Sequence, residues 1–248
     1  MLSKDLGPEY SQACFIMGSS GSGKSYLMHK VLSYFPEDCV IWITRTTAHG
    51  LEYFCKGKDL SGKILAVEEA PGVGEAQPYI RPMFSEKGLR IVTAQPVGGR
   101  VEGQVIEVKG CPAFVTTSCS PAMDEEMSTR VWILSVDESE EQTKRILGFE
   151  ARRAMYPDRP VEGKEEIREA LAQLRPVEIL IPFASSITFP KDRIRVRRDF
   201  PKLLALIKVS AYLHQYRRPR LSLGGREYVV ATLEDYNIAY LLTRKVFG

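Results

Sequence analysis

The chain has 248 residues, 44% of them hydrophobic and 26% charged, with 34 basic against 31 acidic side chains and a net charge of +3. That balance fits an ordinary globular chain with one sizeable domain, or a domain and a smaller companion, and excludes only the compositionally extreme classes. No apolar run is long enough to span a bilayer, and Met1-Leu2-Ser3-Lys4-Asp5 lacks the basic and apolar regions of a signal peptide, so a cytoplasmic protein with no membrane partner is expected.

In chain order, Ala13-Cys14-Phe15-Ile16-Met17 reads as a short buried strand, and Tyr26 to Leu32 has helical spacing. Between them lies Gly18-Ser19-Ser20-Gly21-Ser22-Gly23-Lys24-Ser25, a complete G-x-x-x-x-G-K-S phosphate loop. Its glycines let successive backbone N–H groups turn inward around phosphates, and the helix N-terminus adds partial positive charge. Lys24 is expected to reach the β- and γ-phosphates of ATP, and the Ser25 hydroxyl to ligate Mg²⁺. Tyr26, the next residue of the helix, is counted with the nucleotide-binding set. Cys39 to Thr44 reads as a second strand after the breaker Phe35-Pro36-Glu37-Asp38, and Lys63 to Val67 as a third. Strands alternating with helices predict a parallel sheet covered on both faces.

The third strand runs into Glu68-Glu69, and an apolar strand that ends in acids opens on the same crevice as the phosphate loop. The spacing assigns Glu68 to Mg²⁺ and Glu69 to orienting the attacking water. Pro78 to Glu86 is read as a short helix. Leu89 to Ala94 and Gly103 to Val108 are strand-like runs about a Gly98-Gly99-Arg100 tip, which predicts a β-hairpin. Ala113 to Ser118 is a fourth core strand ending in hydroxyls. The acidic segment Asp124 to Arg130 leads into a strand from Val131 to Val136, then a helix from Glu140 to about Ala154.

Asp158 to Gly163 is rich in breakers and reads as a linker, so residues 1–158 form the core and 159–248 a helix-rich second domain. Its helices are placed near Glu165 to Leu174, from about Pro201 to Gln215, and from about Thr232 to Lys245, the last capped by Thr232-Leu233-Glu234-Asp235. Two basic groups, Arg193, Arg195, Arg197 and Arg198, and Arg217, Arg218 and Arg220, are either a solvated face or contacts to nucleotide or nucleic acid. The five scattered cysteines have no metal-ligand spacing and are expected to be reduced and mostly buried.

These pieces together resemble the AAA+ ATPases, in the helicase-like branch that carries a β-hairpin before the sensor-1 strand, as in the MCM family and superfamily 3 helicases. The resemblance implies an α/β P-loop fold with a central parallel sheet flanked by helices, an inserted hairpin and a C-terminal helical lid. It implies DNA contact at Arg100 on the hairpin tip and more weakly at Lys109, a sensor-1 role at Thr117 or Ser118, and an arginine finger at Arg130. The competing reading of Arg130 is a surface arginine, or one paired with Glu125 or Glu126 on the same segment. The run Arg198-Asp199-Phe200-Pro201 is similar to the start of the family's lid helix, which implies a sensor-2 role at Arg198, with Arg197 as the alternative.

Glu68-Glu69-Ala70-Pro71-Gly72 and Asp137-Glu138-Ser139 are similar to helicase modules found beside toprim or zinc-finger primases of phages and plasmids. The resemblance thus implies a hexameric ring that hydrolyses ATP with Mg²⁺, moves on single-stranded or duplex DNA and acts with a primase. An ATP-switched helicase loader or transposition regulator is the alternative, and a small-molecule kinase a third reading.

Overall fold

The computed structural model describes residues 12–45, 48–69, 88–97, 100–119, 125–156, 164–190, 193–244 and 246. The expected helix over 78–86, the tip residues Gly98 and Gly99, and the linker over 158–163 lie outside the described residues.

In the first part of the chain the order is β1 (Ala13–Met17), α1 (Lys24–Leu32), β2 (Val40–Arg45), α2 (Ala48–Cys55), β3 (Ile64–Glu69), β4 (Gly88–Val97), β5 (Arg100–Lys109), β6 (Ala113–Ser118), α3 (Glu125–Arg130), β7 (Trp132–Ser135) and α4 (Glu140–Met155). Five of these strands form one wholly parallel sheet in the order β2-β3-β6-β1-β7. Strand β6, formed late in sequence, is inserted between β1 and β3.

Side chains alternate across the pleat, so each central strand feeds two cores. Phe15, Leu65, Val67 and Phe114 face one side with Leu51 and Cys55 of α2, while Ile16, Ile64 and Ala66 face Met28 and Leu32 of α1. Burial of both faces explains why these strands are continuous apolar runs.

Strands β4 and β5 pair antiparallel from Gly88↔Lys109 to Val97↔Arg100, a longer hairpin than the sequence pattern marks. Ile106 and Val108 anchor its base in the α2-side core, and backbone bonds from Gly57 to Glu107, Leu60 to Lys109 and Lys109 to Lys58 tie it down. Gly110 follows at φ +77°, where a Cβ would also lie 2.4 Å from the Ser61 nitrogen, so both conformation and space demand glycine. Toward the tip, Val92 is 74% exposed.

The second part holds α5 (Lys164–Ala172), β8 (Glu178–Leu180), α6 (Val196–Leu213), β9 (Arg220–Leu223), β10 (Arg226–Val230) and α7 (Leu233–Thr243). The expectation of a helix-rich part is amended by strands it did not place: β8, β10 and β9 form a three-stranded sheet, parallel on one side of β10 and antiparallel on the other. A second correction concerns α6, which begins at Val196 rather than Pro201. Its first bonds are of i→i−3 type, Val196 to Arg193, Arg197 to Ile194 and Arg198 to Arg195. That tight opening turn is followed by α-helix in which Pro201 withholds one donor.

The expected cap of the last helix is present as a reciprocal capping box between Thr232 and Asp235. The described helices include none long and apolar enough to cross a membrane. None of the five cysteines, all of them among the described residues, forms a disulfide, but only Cys55 and Cys111 are buried; Cys14 and Cys39 are intermediate and Cys119 is exposed, which narrows the burial expectation.

Candidate nucleotide site

Because the sheet is parallel, the carboxyl ends of β1, β6 and β3 open along one edge, the place where such sheets bind ligands. Strand β1 leads into the glycine loop, β3 carries Glu68 and Glu69, and β6 between them ends at Thr117 and Ser118. Both acids belong to β3 itself rather than following it.

The loop has the backbone that its glycines permit. Gly21 and Gly23 lie at φ +79° and +88°, and nothing stands within 4 Å of a Cβ at either, so conformation and not space selects glycine. At Gly18 the reason is space: a Cβ would fall 2.5 Å from Val136 Cγ2 and 2.9 Å from Glu138 Oε1. Lys24 is buried, and its Nζ donates to the carbonyls of Gly18 at 2.9 Å and Ser19 at 2.5 Å. The Gly18 N–H donates to the Ser118 carbonyl at 3.3 Å, so β6 touches the loop directly.

Ser22 Oγ is buried with no hydrogen-bond partner among the described residues. A turn of backbone N–H groups, a buried ammonium and an unpartnered hydroxyl fit an anionic phosphate group. Ser20, Ser25 and Tyr26 are exposed, Tyr26 by 58%.

Glu68 shares a sheet face with Ile64 and Ala66, the face covered by α1. Its backbone carbonyl accepts from the Thr117 hydroxyl, and one carboxylate oxygen accepts from His29 Nε2 on α1. The His29 ring lies flat on Trp42 of β2, with centroids 4.3 Å apart and 12° between planes. The backbone of Glu69 pairs with Arg45, and its side chain lies outside the described residues. Among the described residues no group of three or more His, Cys, Asp or Glu could hold a metal alone. A Mg²⁺ ion bound by one carboxylate and by phosphates needs no such cage, so Glu68 and Ser25 suit that chemistry.

Three site residues were not legible as such in the sequence: His29, Trp42 and Glu138. The Glu138 carboxylate accepts from the Ser19 N–H at 2.6 Å, which links the segment after β7 to the phosphate loop. His29 carried a signal, since it falls four residues after Ser25 and so shares its helix face.

Both candidate arginines, Arg130 and Arg198, contact α3. Arg130 ends α3 and pairs with Glu126 at 2.8 Å, the intramolecular alternative that the sequence leaves open. Arg198 of α6 donates to the Thr129 hydroxyl and to the Glu126 carbonyl, so the structure brings it to α3, on the far side of the joint between the two parts. Lys202 reinforces that joint, donating to the Val131 carbonyl at 3.1 Å and lying 5.4 Å over the Trp132 ring.

Arg100 pairs with Val97 beside the hairpin tip, and its side chain lies outside the described residues. Lys109, the weaker candidate for DNA contact, pairs with Gly88 at the base of the hairpin, ~30 Å from the tip at the rise of an extended strand.

This sheet order, glycine loop and acid-ended strand define the fold of a P-loop NTPase. No family model matches the sequence, and neither does any curated protein. Among solved structures, the chain is similar to a candidate ATPase from Cytophaga hutchinsonii at 14% identity and a TM-score of 0.42, over 96% of this chain and 82% of that one. It is also similar to the A form apo structure of the NrS-1 C-terminal region at 15% identity and a TM-score of 0.32, over 64% of this chain. The likeness spans 39% of that NrS-1 chain.

Proposed function

We propose that the chain is an ATP-hydrolysing motor of AAA+ type that forms a hexameric ring and translocates on single-stranded or duplex DNA, as the helicase of a mobile element working with a primase. The observation that supports it most is the convergence of the loop with Lys24, Glu68 with its His29 contact, and the end of β6 on one sheet edge. Bound Mg²⁺·ATP supplies the electrophilic phosphorus and the leaving group. Gly18, Ser19, Ser20, Gly21, Ser22 and Gly23 cradle its phosphates, Lys24 neutralises them, and Ser25 and Glu68 hold the metal. Glu69 orients water, and Thr117 or Ser118 senses the γ-phosphate from between the two motifs. Arg130, released from Glu126, reaches the neighbouring subunit's phosphate, and Arg198 reports on the lid.

The hairpin supports translocation because it is anchored at its base and carries Arg100 beside the tip. Phosphate contacts there give affinity without reading sequence. The alternative, an ATP-switched loader, is supported by the joint, since Arg130 and Arg198 both hold Glu126.

Arg100→Ala separates the two. Turnover and unwinding are measured with and without single-stranded DNA, alongside ATP binding, with Lys24→Ala as the variant expected to lose binding. The motor reading expects Arg100→Ala to keep ATP affinity while DNA-stimulated turnover falls at least about tenfold, the scale of one lost charge-assisted contact. Unaltered stimulation would favour the loader.

A further inference from the structure

We propose that His29 is a positioning residue that fixes the Glu68 carboxylate for the metal of the nucleotide site, and that Trp42 holds the imidazole in the orientation this requires. The inference rests on the nucleotide reading above and adds two residues to it.

The geometry is set by three elements. Helix α1 begins at Lys24 and packs Met28 and Leu32 on the sheet face that carries Ile64, Ala66 and Glu68. His29 follows Ser25 by four residues, so both project from one side of α1. Trp42 pairs with Ala66 in the β2–β3 register and therefore stands on the same sheet face, where its ring stacks on that of His29. The imidazole is thereby clamped by Trp42 while its Nε2 meets the carboxylate. With Thr117 holding the Glu68 backbone carbonyl, the acid is fixed at both ends.

Stability does not account for this arrangement. The His29 and Glu68 side chains are 52% and 25% exposed, and Trp42 is 42% exposed. A polar contact this open to solvent contributes little to folding. What it does restrict is the rotamer of one carboxylate beside the phosphate loop. Outer partners of metal-binding carboxylates act in this way, and their loss typically lowers metal affinity by about 10- to 100-fold.

The test uses the full chain and a fluorescent ATP analogue, first in EDTA and then with increasing Mg²⁺. For His29→Ala the Mg²⁺ concentration at half-saturation is expected to rise about tenfold. Affinity for the metal-free nucleotide should stay near wild type, because the loop and Lys24 are untouched. His29→Gln, which keeps an N–H donor, should recover most of the Mg²⁺ response. Trp42→Leu should shift it in the same direction as His29→Ala by a smaller factor.

Equal Mg²⁺ half-saturation in wild type and His29→Ala overturns the role of His29. Loss of metal-free binding in His29→Ala also overturns it, because the residue would then serve the loop itself. A wild-type chain that binds the analogue under neither condition overturns the nucleotide reading instead, so the two failures are distinguishable.

Discussion

Two carboxylates in this molecule make nearly opposite use of the same chemistry. Asp235, in the first turn of α7, is fully buried. Its Oδ1 accepts from Ser210 Oγ at 2.7 Å and Arg218 Nη2 at 2.8 Å, and its Oδ2 from Arg218 Nε at 2.8 Å and the Thr232 N–H at 2.9 Å. That network closes on itself and ties α6, the turn after it and the β10–α7 connection together. Glu68 has one oxygen engaged by His29 and remains a quarter exposed at a sheet edge. A closed network has no capacity left for a ligand, so its work is folding, whereas an open one is oriented but still available. The same contrast accounts for two of the three arginines in one basic group, since Arg218 is spent on Asp235 and Glu234 and Arg220 faces Glu227.

The contrast breaks first at Asp235. Asp235→Ala leaves the buried Arg218 without its bidentate partner and is expected to cost about 3–5 kcal/mol in urea unfolding. Burial pushes the Asp235 carboxyl up, but Arg218, the Thr232 amide and the Ser210 hydroxyl outweigh it and hold the group below the ordinary aspartate range. A depressed carboxyl stabilises the fold above its unfolded value, about 3.9, and loses that contribution as pH falls through the lower folded value. The wild-type advantage over Asp235→Asn should therefore be level between about pH 7 and 5 and shrink below about pH 4. An advantage that persists undiminished into acid would mean that the network is not holding a charge.

How far such networks could be foreseen depends on chain distance. The loop, Glu68-Glu69 and the strand Ala113–Ser118 were legible because each is a contiguous pattern, and the thermodynamics of a two-face-buried strand writes itself as an apolar run. The capping box at Thr232 was legible for the same local reason. The three-stranded sheet of the second part was not read, although Gly224-Gly225, at φ +56° and +79°, is a two-residue hairpin signal. All four β9 residues are exposed, so no alternation marks that strand, and the three residues of β8 are too few for periodicity. His29, Trp42 and Glu138 became visible only when the fold brought distant segments together.

Lys202 lies between the two extremes and sharpens the comparison. Its side chain is 9% exposed at the joint, with Asp199 at 3.7 Å. Burial lowers the ammonium to about 8, against the opposing pull of Asp199. Between that value and the ordinary lysine value of about 10.4, the unfolded chain binds more protons than the folded one, so stability rises with pH across this window. The expected rise is about 2 kcal/mol from pH 8 to 10, read as the difference between wild type and Lys202→Met in urea unfolding, which cancels other titrations. A flat difference would show that the joint already compensates the charge, making it a closed network like that of Asp235.

The smallest effect is expected where the network is open. The Thr117 hydroxyl donates to the Glu68 carbonyl, and the residue is buried. Thr117→Val keeps the shape and removes one neutral hydrogen bond, which costs about 1 kcal/mol of unfolding free energy. That is a fraction of the cost at Asp235, although both residues are buried and both bonds join different elements. If Thr117→Val destabilised the chain as much as Asp235→Ala, the end of β6 would be a folding element, and exposure of Glu68 would no longer separate a site from a scaffold. If the cost is small while the Mg²⁺ requirement for nucleotide binding rises, Thr117 and His29 act on the same residue, one through its backbone carbonyl and the other through its carboxylate.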